Sequence, residues 1–410
     1  MTEKFCGIDV HRDTLVATVL DGQTDEKQTR KFKNHQDEIT QLKEWLKQNH
    51  CLKVTMESTS IFWVVLYLAL EDSGFLVTLA NAYRVKAIPG RKTDQLDSEW
   101  LAYLLRANLI KPSYVPPKVI RELRELTRLR TKYVQNQTQF KNRCQGLLRR
   151  VDICLGSRLS DVFGKAGSEI LRGLAEGKSV EAILAETKNG WLANREEEIL
   201  AVAKGSLSEN DMFILRELTE SIVHLEQKIV EVSARIELRV NEHALAIVAS
   251  VPGVGKGSAA SILAEIGDAA RFSCGKQIAA WAGLVPSVHQ SAGVTVLGRI
   301  TKRGSKWLRR DMIAVAHCAV NVRGSVFREM FLRVSARHGA NTAYTAVARK
   351  MLTVIWHLLV CDELYVEEGF SKKPVVLRRR GVVAELSLDD MAGILRNAGY
   401  SVASSARVSS

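Results

Sequence analysis

The sequence has no apolar run long enough to span a lipid bilayer. The longest runs are Ile61–Leu70 and Met351–Cys361, and His357 interrupts the second of them. A membrane-spanning helix needs about 20 consecutive apolar residues, so both runs are interpreted as buried helices. The first residues lead straight into a strand pattern, without the charged and apolar regions of a signal peptide. We therefore expect a cytoplasmic protein that does not use a membrane.

Cysteine is scarce, and its seven residues are scattered without any CxxC pair. They are Cys6, Cys51, Cys144, Cys154, Cys274, Cys318 and Cys361. An odd number at irregular spacing argues against a zinc site and against a disulfide framework. We expect all of them to be reduced core residues.

Acidic residues are outnumbered by basic ones. The chain has 58 Lys and Arg against 45 Asp and Glu, which gives a net charge of +13. An excess of this size suits a nucleic-acid partner, although an anionic membrane surface would also attract it. Because 46% of the 410 residues are hydrophobic, the chain can form a sizeable core in two or three domains.

Residues 1–117 alternate strand and helix patterns and end in a proline-rich linker, Lys111–Pro117. The predicted strands are Phe5–Val10, Thr14–Leu20, Gln28–Asn34, Leu52–Met56 and Phe75–Leu79. The predicted helices are His35–Gln48, Ile61–Ser73 and Asp94–Leu109. Three strands, a helix, a strand, a helix, a strand and a helix is the order of a ribonuclease H-like (RuvC-like) α/β domain.

Residues 118–243 are predicted to contain two long helices with short helices between them. The first runs from about Lys118 to Val151 and is strongly basic between Arg121 and Arg150. The second begins near Glu209 and carries apolar residues at alternating spacings of three and four, a seam typical of coiled-coil pairing. The seam residues are Leu215, Leu218, Ile222, Leu225, Ile229, Val232 and Ile236. Their partner is either the first long helix or another subunit.

Residues 244–369 form a third predicted domain, mostly helical, and residues 370–410 form a basic tail. The segment Pro252-Gly253-Val254-Gly255-Lys256 is typical of a helix-hairpin-helix. Glycine backbone and a helix N-terminus can approach phosphate, so Gly253, Gly255 and Lys256 are candidate DNA contacts, with an ordinary tight turn as the alternative. An ATP-binding P-loop is excluded, because GVGKGS does not match GxxxxGK[ST].

Four carboxylates are candidate metal ligands. Asp9 ends the first strand, Glu57 follows the fourth, and the pair Asp94 and Asp97 shares one face of a predicted helix. In a ribonuclease H-like fold these elements are neighbours, so the carboxylates would converge and hold two Mg²⁺ ions about 4 Å apart for attack on a phosphodiester. The alternative is ordinary: a strand-end aspartate shapes a turn, and a DxxD pair caps a helix or faces solvent.

A candidate nucleophile lies in a segment of small residues, Ser291-Ala292-Gly293, which we expect to form a tight exposed loop. A basic run follows it and can hold several phosphates. Its members are Arg299, Lys302, Arg303, Lys306, Arg309 and Arg310. A serine that attacks phosphorus needs activation and neutralisation of the developing charge, which metal ions and arginines supply. A loop serine is otherwise a turn residue.

Together these motifs resemble the DEDD-type insertion-sequence transposases with a RuvC-like domain, which are related to the Piv-type DNA invertases. The resemblance extends to about residue 365 and rests on Gly7–Val10, Met56–Thr59, Arg91–Asp97, Val251–Gly255 and Gly283–Gly304. It implies that Asp9, Glu57, Asp94 and Asp97 are the metal-binding tetrad and that Ser291 forms a transient phosphoserine with DNA.

The resemblance also implies partners. Members of that family move their element through a circular intermediate, guided by a structured bridge RNA, and assemble as dimers or higher oligomers on double-stranded DNA. Many relatives have Ser-Gly-Gly where this chain has Ser291-Ala292-Gly293, which leaves Ser287 as an alternative nucleophile. The other functions open at this point are a RuvC-like structure-specific nuclease, a DNA invertase and a non-catalytic nucleic-acid scaffold.

Overall fold

The computed structural model of the chain describes residues 3–58, 61–81, 85, 94–291, 294–301 and 304–367, with the backbone alone at 94–96, 288–297 and 299. The chain divides into two compact units, Met1–Pro117 and Lys118–Ser410. The dividing point follows the proline-rich segment. In the part of the chain that the structure describes, no helix is long and apolar enough to cross a membrane.

The first unit contains a five-stranded mixed sheet flanked by helices. Its described strands are β1 (Lys4–Val10), β2 (Thr14–Asp21), β3 (Lys27–Lys33), β4 (Lys53–Glu57) and β5 (Leu76–Ala80). Its described helices are α1 (Gln36–Gln48), α2 (Trp63–Glu71) and α3 (Asp94–Arg106). Every strand and helix predicted for this unit is confirmed, with ends that differ by three residues at most.

The strand order in this sheet is β3-β2-β1-β4-β5. Strand β2 is antiparallel to β1 and β3, whereas β4 is parallel to both β1 and β5. The order, the mixed directions and the interleaved helices are consistent with the predicted ribonuclease H-like domain. The predicted adjacency of the first and fourth strands is confirmed.

The two faces of β1 are occupied differently, because successive side chains of a strand point to opposite sides. Cys6, Ile8 and Val10 are buried in a core that includes residues of α1 and α2. Gly7 faces the other way, where a side chain would collide with the backbone of α3. Helix α3 therefore lies directly on the sheet at Gly7, and Asp9 shares that face because it is two residues further on.

In its described residues, the second unit is helical apart from one two-stranded hairpin. Its described helices are α4 (Lys118–Arg150), α5 (Lys165–Ala175), α6 (Val180–Glu186), α7 (Gly190–Ala193), α8 (Glu196–Leu200), α9 (Glu209–Glu237), α10 (Glu242–Ala249), α11 (Lys256–Ile266), α12 (Gly275–Trp281), α13 (Lys306–Ala319), α14 (Val326–His338) and α15 (Ala340–Cys361). The hairpin strands are β6 (Pro286–Ser291) and β7 (Val294–Ile300).

The long helices α4 and α9 pack against each other in opposite directions. The evidence is the order of their hydrogen bonds: Arg130 with Ser233, Gln137 with the carbonyl of Ile222, and Arg150 with Asp211. The apolar seam of α9 is only partly buried, since Leu215, Ile222, Val232 and Ile236 are buried and the other three seam residues are half-buried. Within the chain, the partner of this seam is α4; coiled-coil pairing as such stays a prediction.

The second unit has two hydrophobic cores, one towards each end of the long helices. Leu123, Val232 and Ile236 belong to the core of the C-terminal helices. Leu148 and Leu215 belong to the core of the short helices between α4 and α9. This division follows the predicted regions 118–243 and 244–369 only in part, because the paired helices contribute to both cores. The predicted tail, 370–410, lies outside the described residues.

Two expectations are corrected. Ser291 is not itself a loop residue: it is the last residue of β6 and pairs with Val294 of β7. Nor are all cysteines core residues, since Cys274, Cys318 and Cys361 are exposed. The small residues of this segment favoured a loop in the sequence, although Ser291 is still paired as a strand residue. Cysteines that form no disulfide need no buried partner, so they can lie at the surface.

Candidate functional site

Asp9 lies near the C-terminal end of β1, on the face that α3 covers. Its side chain is 17% exposed, and its Oδ2 lies 2.9 Å from Nε2 of His11. The neighbouring residues Ile8 and Val10 are buried on the opposite face and hold the strand in place. His11 was not singled out in the sequence, although its position two residues after Asp9 is a usable signal.

Glu57 lies at the same edge of the sheet as Asp9. The parallel register pairs Ile8 with Met56, so the next residues along the two strands are Asp9 and Glu57. Paired residues of neighbouring strands share a face, which places Glu57 on the α3 side. Both residues are partly buried.

Helix α3 brings its first turn to this edge. Its last residue, Arg106, donates to the carbonyl of Asp21, which pairs with Lys4 at the start of β1. Further along α3, the hydroxyl of Ser98 lies 2.8 Å from that of Thr18, which pairs with Gly7. The helix therefore runs opposite to β1, so its N-terminal turn lies towards the end of the strand that carries Asp9.

Asp97 is in the first turn of α3 and is partly buried, one residue before the fully buried Ser98. Position 94 begins the helix, and its side chain lies outside the described residues. Among the described side chains, no group of three His, Cys, Asp or Glu is arranged to hold a metal ion. The structure thus brings Asp9, Glu57 and the start of α3 to one edge of the sheet. Carboxylates are the ligands that Mg²⁺ uses in proteins.

In the second unit, Ser291 stands at the tip of the β6–β7 hairpin. Its pairing with Val294 leaves two residues for the connection, the length of a tight hairpin turn. Ser287, the alternative nucleophile, lies on β6 nearer the base of the hairpin. Its hydroxyl packs against Gly298 of β7, so closely that a Cβ added to Gly298 would collide with it. The hairpin therefore packs its own backbone against Ser287, whereas Ser291 is placed at the end.

The glycine turn lies between helices α10 and α11. Gly253 has a φ of 81°, and an added Cβ would lie 2.6 Å from the Cα of Ala319. Gly255 has a φ of −82° and open space around its Cα, and it precedes the first residue of α11. Gly253 thus has a structural reason to be glycine, while Gly255 and the exposed Lys256 face solvent at a helix N-terminus.

In the basic run after the hairpin, one described side chain is exposed and two others contact the protein itself. Lys306 is exposed. Arg309 donates to the carbonyl of Ala282 at 3.2 Å, and Arg310 lies 3.3 Å from Oδ1 of Asp311. The side chains of Arg299, Lys302 and Arg303 lie outside the described residues. DNA contact by these residues stays a prediction, and Arg309 and Arg310 also have partners within the chain.

A buried polar network, not foreseen in the sequence, includes Ser305, the residue before Lys306. The carboxylate of Glu265 is 2% exposed and accepts hydrogen bonds from Arg128 at 2.7 Å and from Ser305 at 2.9 Å. The hydroxyl of Ser261 donates to Asp311 at 2.5 Å. Burial raises the pKa of Asp311, an effect that Ser261 opposes. A charged residue within the apolar helix α11 was the available signal.

Two family models match the sequence. One, for the DEDD-type transposase domain of IS110 elements, is described as a transposase and matches residues 6–152, which include Asp9, Glu57, Asp94 and Asp97. The other is described as a transposase of the IS116/IS110/IS902 family and matches residues 245–331, which include Ser291. Together the matched segments cover more than half of the chain.

Curated relatives agree with the models. The chain is 29% identical over 305 residues to a probable family 20 transposase of Pseudomonas aeruginosa, covering 72% of this chain and 80% of the relative. It is 26% identical over 305 residues to the transposase for insertion sequence element IS1111A of Coxiella burnetii, covering 73% and 75%. It is 22% identical over 373 residues to the pilin gene-inverting protein of Moraxella bovis, covering 88% and 96%.

Both matched domains and the named relatives indicate the same chemistry, the cleavage and rejoining of DNA strands. The matches fall on the two segments that carry the acidic edge of the sheet and the serine hairpin, in the order in which the sequence presents them. The chain belongs to the IS110 family of transposases.

Proposed function

We propose that this protein moves an insertion sequence by cleaving and rejoining DNA strands, with Asp9, Glu57, Asp94 and Asp97 as metal ligands and Ser291 as nucleophile. One observation carries the proposal: Asp9 and Glu57 lie near the C-terminal ends of neighbouring parallel strands, on the face where α3 begins with its own two aspartates. Carboxylates have to be brought together in this way before they can share a cation.

The acidic edge supplies the site for two Mg²⁺ ions, which when bound would withdraw charge from the scissile phosphate and favour the alkoxide form of an attacking hydroxyl. Two contacts hold α3 over this edge: Gly7, which lacks a side chain and lets the helix backbone pack directly on the sheet, and the hydrogen bond between Thr18 and Ser98. His11, 2.9 Å from Asp9, is a further partner of the first ligand.

Ser291 is the proposed nucleophile because it stands at the tip of a hairpin. In the proposed step its Oγ forms a bond to phosphorus as one P–O bond of the DNA backbone breaks, which conserves the phosphodiester energy as a phosphoserine. A hydroxyl of another DNA end then displaces the serine and restores the phosphodiester. Ser287 fits this role less well, because Gly298 packs against its hydroxyl.

The proposal includes a structured guide RNA, a homo-oligomer and action in the cytoplasm. The charge of +13 and the basic helix α4 suit a nucleic-acid partner of either kind. RNA sequencing of the protein purified from cells that carry its whole element tests the guide. A bound noncoding transcript from the element supports RNA guidance, and recovery of bulk cellular RNA alone contradicts it.

A DNA invertase is the second candidate. The observation that favours it is the length of the match to the pilin gene-inverting proteins of Moraxella bovis and Moraxella lacunata, 373 residues in each case. The two candidates differ in their products. An inverted segment between two recombination sites indicates an invertase, whereas an excised circle of the element indicates a transposase.

The central experiment compares Asp9→Asn and Ser291→Ala with the unaltered protein in an excision and strand-exchange assay. Both variants should lose strand exchange and keep DNA binding. A labelled DNA substrate should yield a protein–DNA adduct on a denaturing gel, and Ser291→Ala should remove that adduct while Ser287→Ala keeps it. Full strand exchange by Ser291→Ala would contradict Ser291 as the nucleophile, and DNA cleavage without rejoining would indicate a nuclease that uses water at the acidic edge.

A further inference from the structure

A cleft of about 940 Å³ opens beside the base of the serine hairpin. One side of the cleft is formed by the hairpin base at Pro286, Gly298 and Ile300, and the other by the N-terminal half of α15. All of its described lining residues belong to the second unit, and none of them is a proposed metal ligand or nucleophile.

The α15 side of the cleft has the chemistry of a phosphate-binding wall. Thr342, Thr345 and Arg349 recur at spacings of three and four, so they form one stripe along the helix, and Lys350 stands beside it. Arg349 and Lys350 are both exposed, and neither forms an ion pair with a described residue. No carboxylate lies among the described residues that line the cleft. Its local charge therefore favours a polyanion.

The apolar lining residues are less accessible than the cations and form the floor of the cleft: Leu284 is buried and Met330 is half-buried, whereas Arg349 and Lys350 are exposed. An apolar floor below a cationic rim suits a nucleotide, whose sugar and base are less polar than its phosphate. Sites of roughly 300–1,000 Å³ enclose ligands of drug size, which corresponds to one or two nucleotides and not to a duplex. The major groove of B-DNA alone is about 12 Å wide. The dimensions therefore favour an unpaired strand.

The cleft lies a short distance from the hairpin tip. Pro286 pairs with Ile300 at the base of the hairpin, and Ser291 pairs with Val294 at its tip. At ~3.4 Å per residue, the five residues from 286 to 291 span about 17 Å. A strand that occupies the cleft can therefore reach Ser291 within a few nucleotides.

We propose that this cleft binds the unpaired DNA strand that flanks the phosphate attacked by Ser291. Arg349 and Lys350 hold its phosphates, Thr342 contributes its hydroxyl at the rim, and the apolar floor receives sugar and base. Cleavage and rejoining of DNA leave strand ends without their partners, and a site of this kind retains such an end for exchange. The inference rests on the proposed function for the identity of the strand.

The test is binding of the full-length protein to a fluorescent oligodeoxythymidine and to the matching duplex over a range of salt concentrations. Arg349→Gln with Lys350→Gln should weaken single-strand binding roughly tenfold and lower the slope of log K against log salt by about 1.4, because each lost phosphate contact on a single strand contributes about 0.7. The duplex should be affected less. The matched control is Arg158→Gln with Lys188→Gln, which removes the same two charges from exposed positions that do not line the cleft.

A second pair of variants does not depend on losing a cation. Thr342 is exposed, so Thr342→Glu and Thr342→Gln should fold equally well, and they differ by one negative charge. Thr342→Glu should weaken single-strand binding several-fold more than Thr342→Gln, because only the glutamate places a negative charge beside the bound phosphates. Equal behaviour of the two Thr342 variants overturns the inference. So does single-strand binding that is unchanged in Arg349→Gln with Lys350→Gln, or that falls equally in the control.

Oligouridine replaces oligodeoxythymidine in one further arm. If Arg349→Gln with Lys350→Gln loses binding to oligouridine but binds oligodeoxythymidine like the unaltered protein, the cleft is assigned to RNA and the inference is overturned. The binding assay tests the cleft independently of the serine mechanism, because oligonucleotide binding does not require DNA cleavage. Ser291→Ala should bind the DNA strand like the unaltered protein. Full strand exchange by Ser291→Ala would contradict the proposed nucleophile while leaving the binding result intact.

Discussion

Gly7 of the central strand lies directly against the backbone of α3 at Ser98. An added Cβ at position 7 would lie 2.5 Å from the amide nitrogen of Ala102 and closer still to the carbonyl oxygen of Ser98. These are backbone atoms, which cannot move aside as the end of a flexible side chain can. The position of α3 over the acidic edge of the sheet therefore depends on glycine at position 7.

Gly7→Ala should displace α3 and reduce DNA strand exchange severely. Overpacking of this kind costs roughly 1–3 kcal/mol, and the first turn of α3 carries two of the four proposed metal ligands. Thermal unfolding and strand exchange measure the two effects. Gly146→Ala is the control, because Gly146 is exposed on helix α4 with open space around it. Unaltered strand exchange by Gly7→Ala would show that the site does not depend on this contact.

The proposed metal ligands predict a specific thermal response to Mg²⁺ or Mn²⁺. A ligand at 100 times its dissociation constant stabilises the folded state by about 2.7 kcal/mol, so the metal should raise the melting temperature of the unaltered protein. Asp97→Asn should diminish that rise, and chelation should abolish strand exchange. Glu99→Gln, on the same helix, should keep the rise, because Glu99 bonds to Lys27 on β3 at 2.5 Å. If Asp97→Asn and Glu99→Gln reduce the metal-induced rise in melting temperature equally, the rise reflects general charge and not ligation by Asp97.

The sheet of the first unit could be predicted because its strands have simple periodicity. In β1 the buried residues Cys6, Ile8 and Val10 alternate with Gly7 and Asp9, and strand geometry converts this alternation into two faces. Each strand also contains β-branched residues and ends near a polar turn. The adjacency of β1 and β4, which brings Asp9 level with Glu57, follows from the strand order of the recognised fold and not from local sequence.

The hairpin that carries Ser291 was missed because its strands are short and lie in a segment of glycine-punctuated helices. Small residues after Ser291 favoured a loop, although Val288, Val294 and Val296 are β-branched residues at strand positions. The network around Glu265 was missed for a different reason. Arg128 lies 137 residues from Glu265 in the sequence, and only tertiary packing brings the two side chains together.

The two glycines of the turn are predicted to differ in their effect on stability. Gly253→Ala should destabilise the protein by roughly 1–3 kcal/mol, because Gly253 has a positive φ and packs against the backbone of Ala319. Gly255→Ala should leave stability nearly unchanged, since its φ is ordinary and its surroundings are open. Chemical denaturation measures both. If DNA phosphate approaches this turn as the sequence predicts, Gly255→Ala should weaken duplex binding despite its normal stability.

Cysteine chemistry should distinguish the surface thiols from the core thiols. Burial raises the pKa of Cys51 and of Cys144 to about 12, so both should resist alkylation until the protein unfolds. The backbone N–H of Gln277 lowers the pKa of the exposed Cys274, which enlarges its thiolate fraction near neutral pH. Peptide mass spectrometry after brief maleimide treatment should show Cys274 labelled first. Preferential labelling of Cys51 or Cys144 in the folded protein would contradict their burial.

The ion pair between Arg128 and Glu265 joins the basic helix α4 to helix α11. Arg128→Gln should destabilise the protein by about 1–3 kcal/mol, because it leaves a carboxylate that is 2% exposed without its cation. Lys132→Gln is the matched control, since Lys132 is an exposed cation of the same helix with no ion pair to a described residue. Combining Arg128→Gln with Glu265→Gln should recover much of the loss, because the neutral amide no longer needs a counter-charge. Denaturant titrations of the four proteins in this cycle give the coupling energy, and purely additive losses would show that the two side chains do not act as a pair.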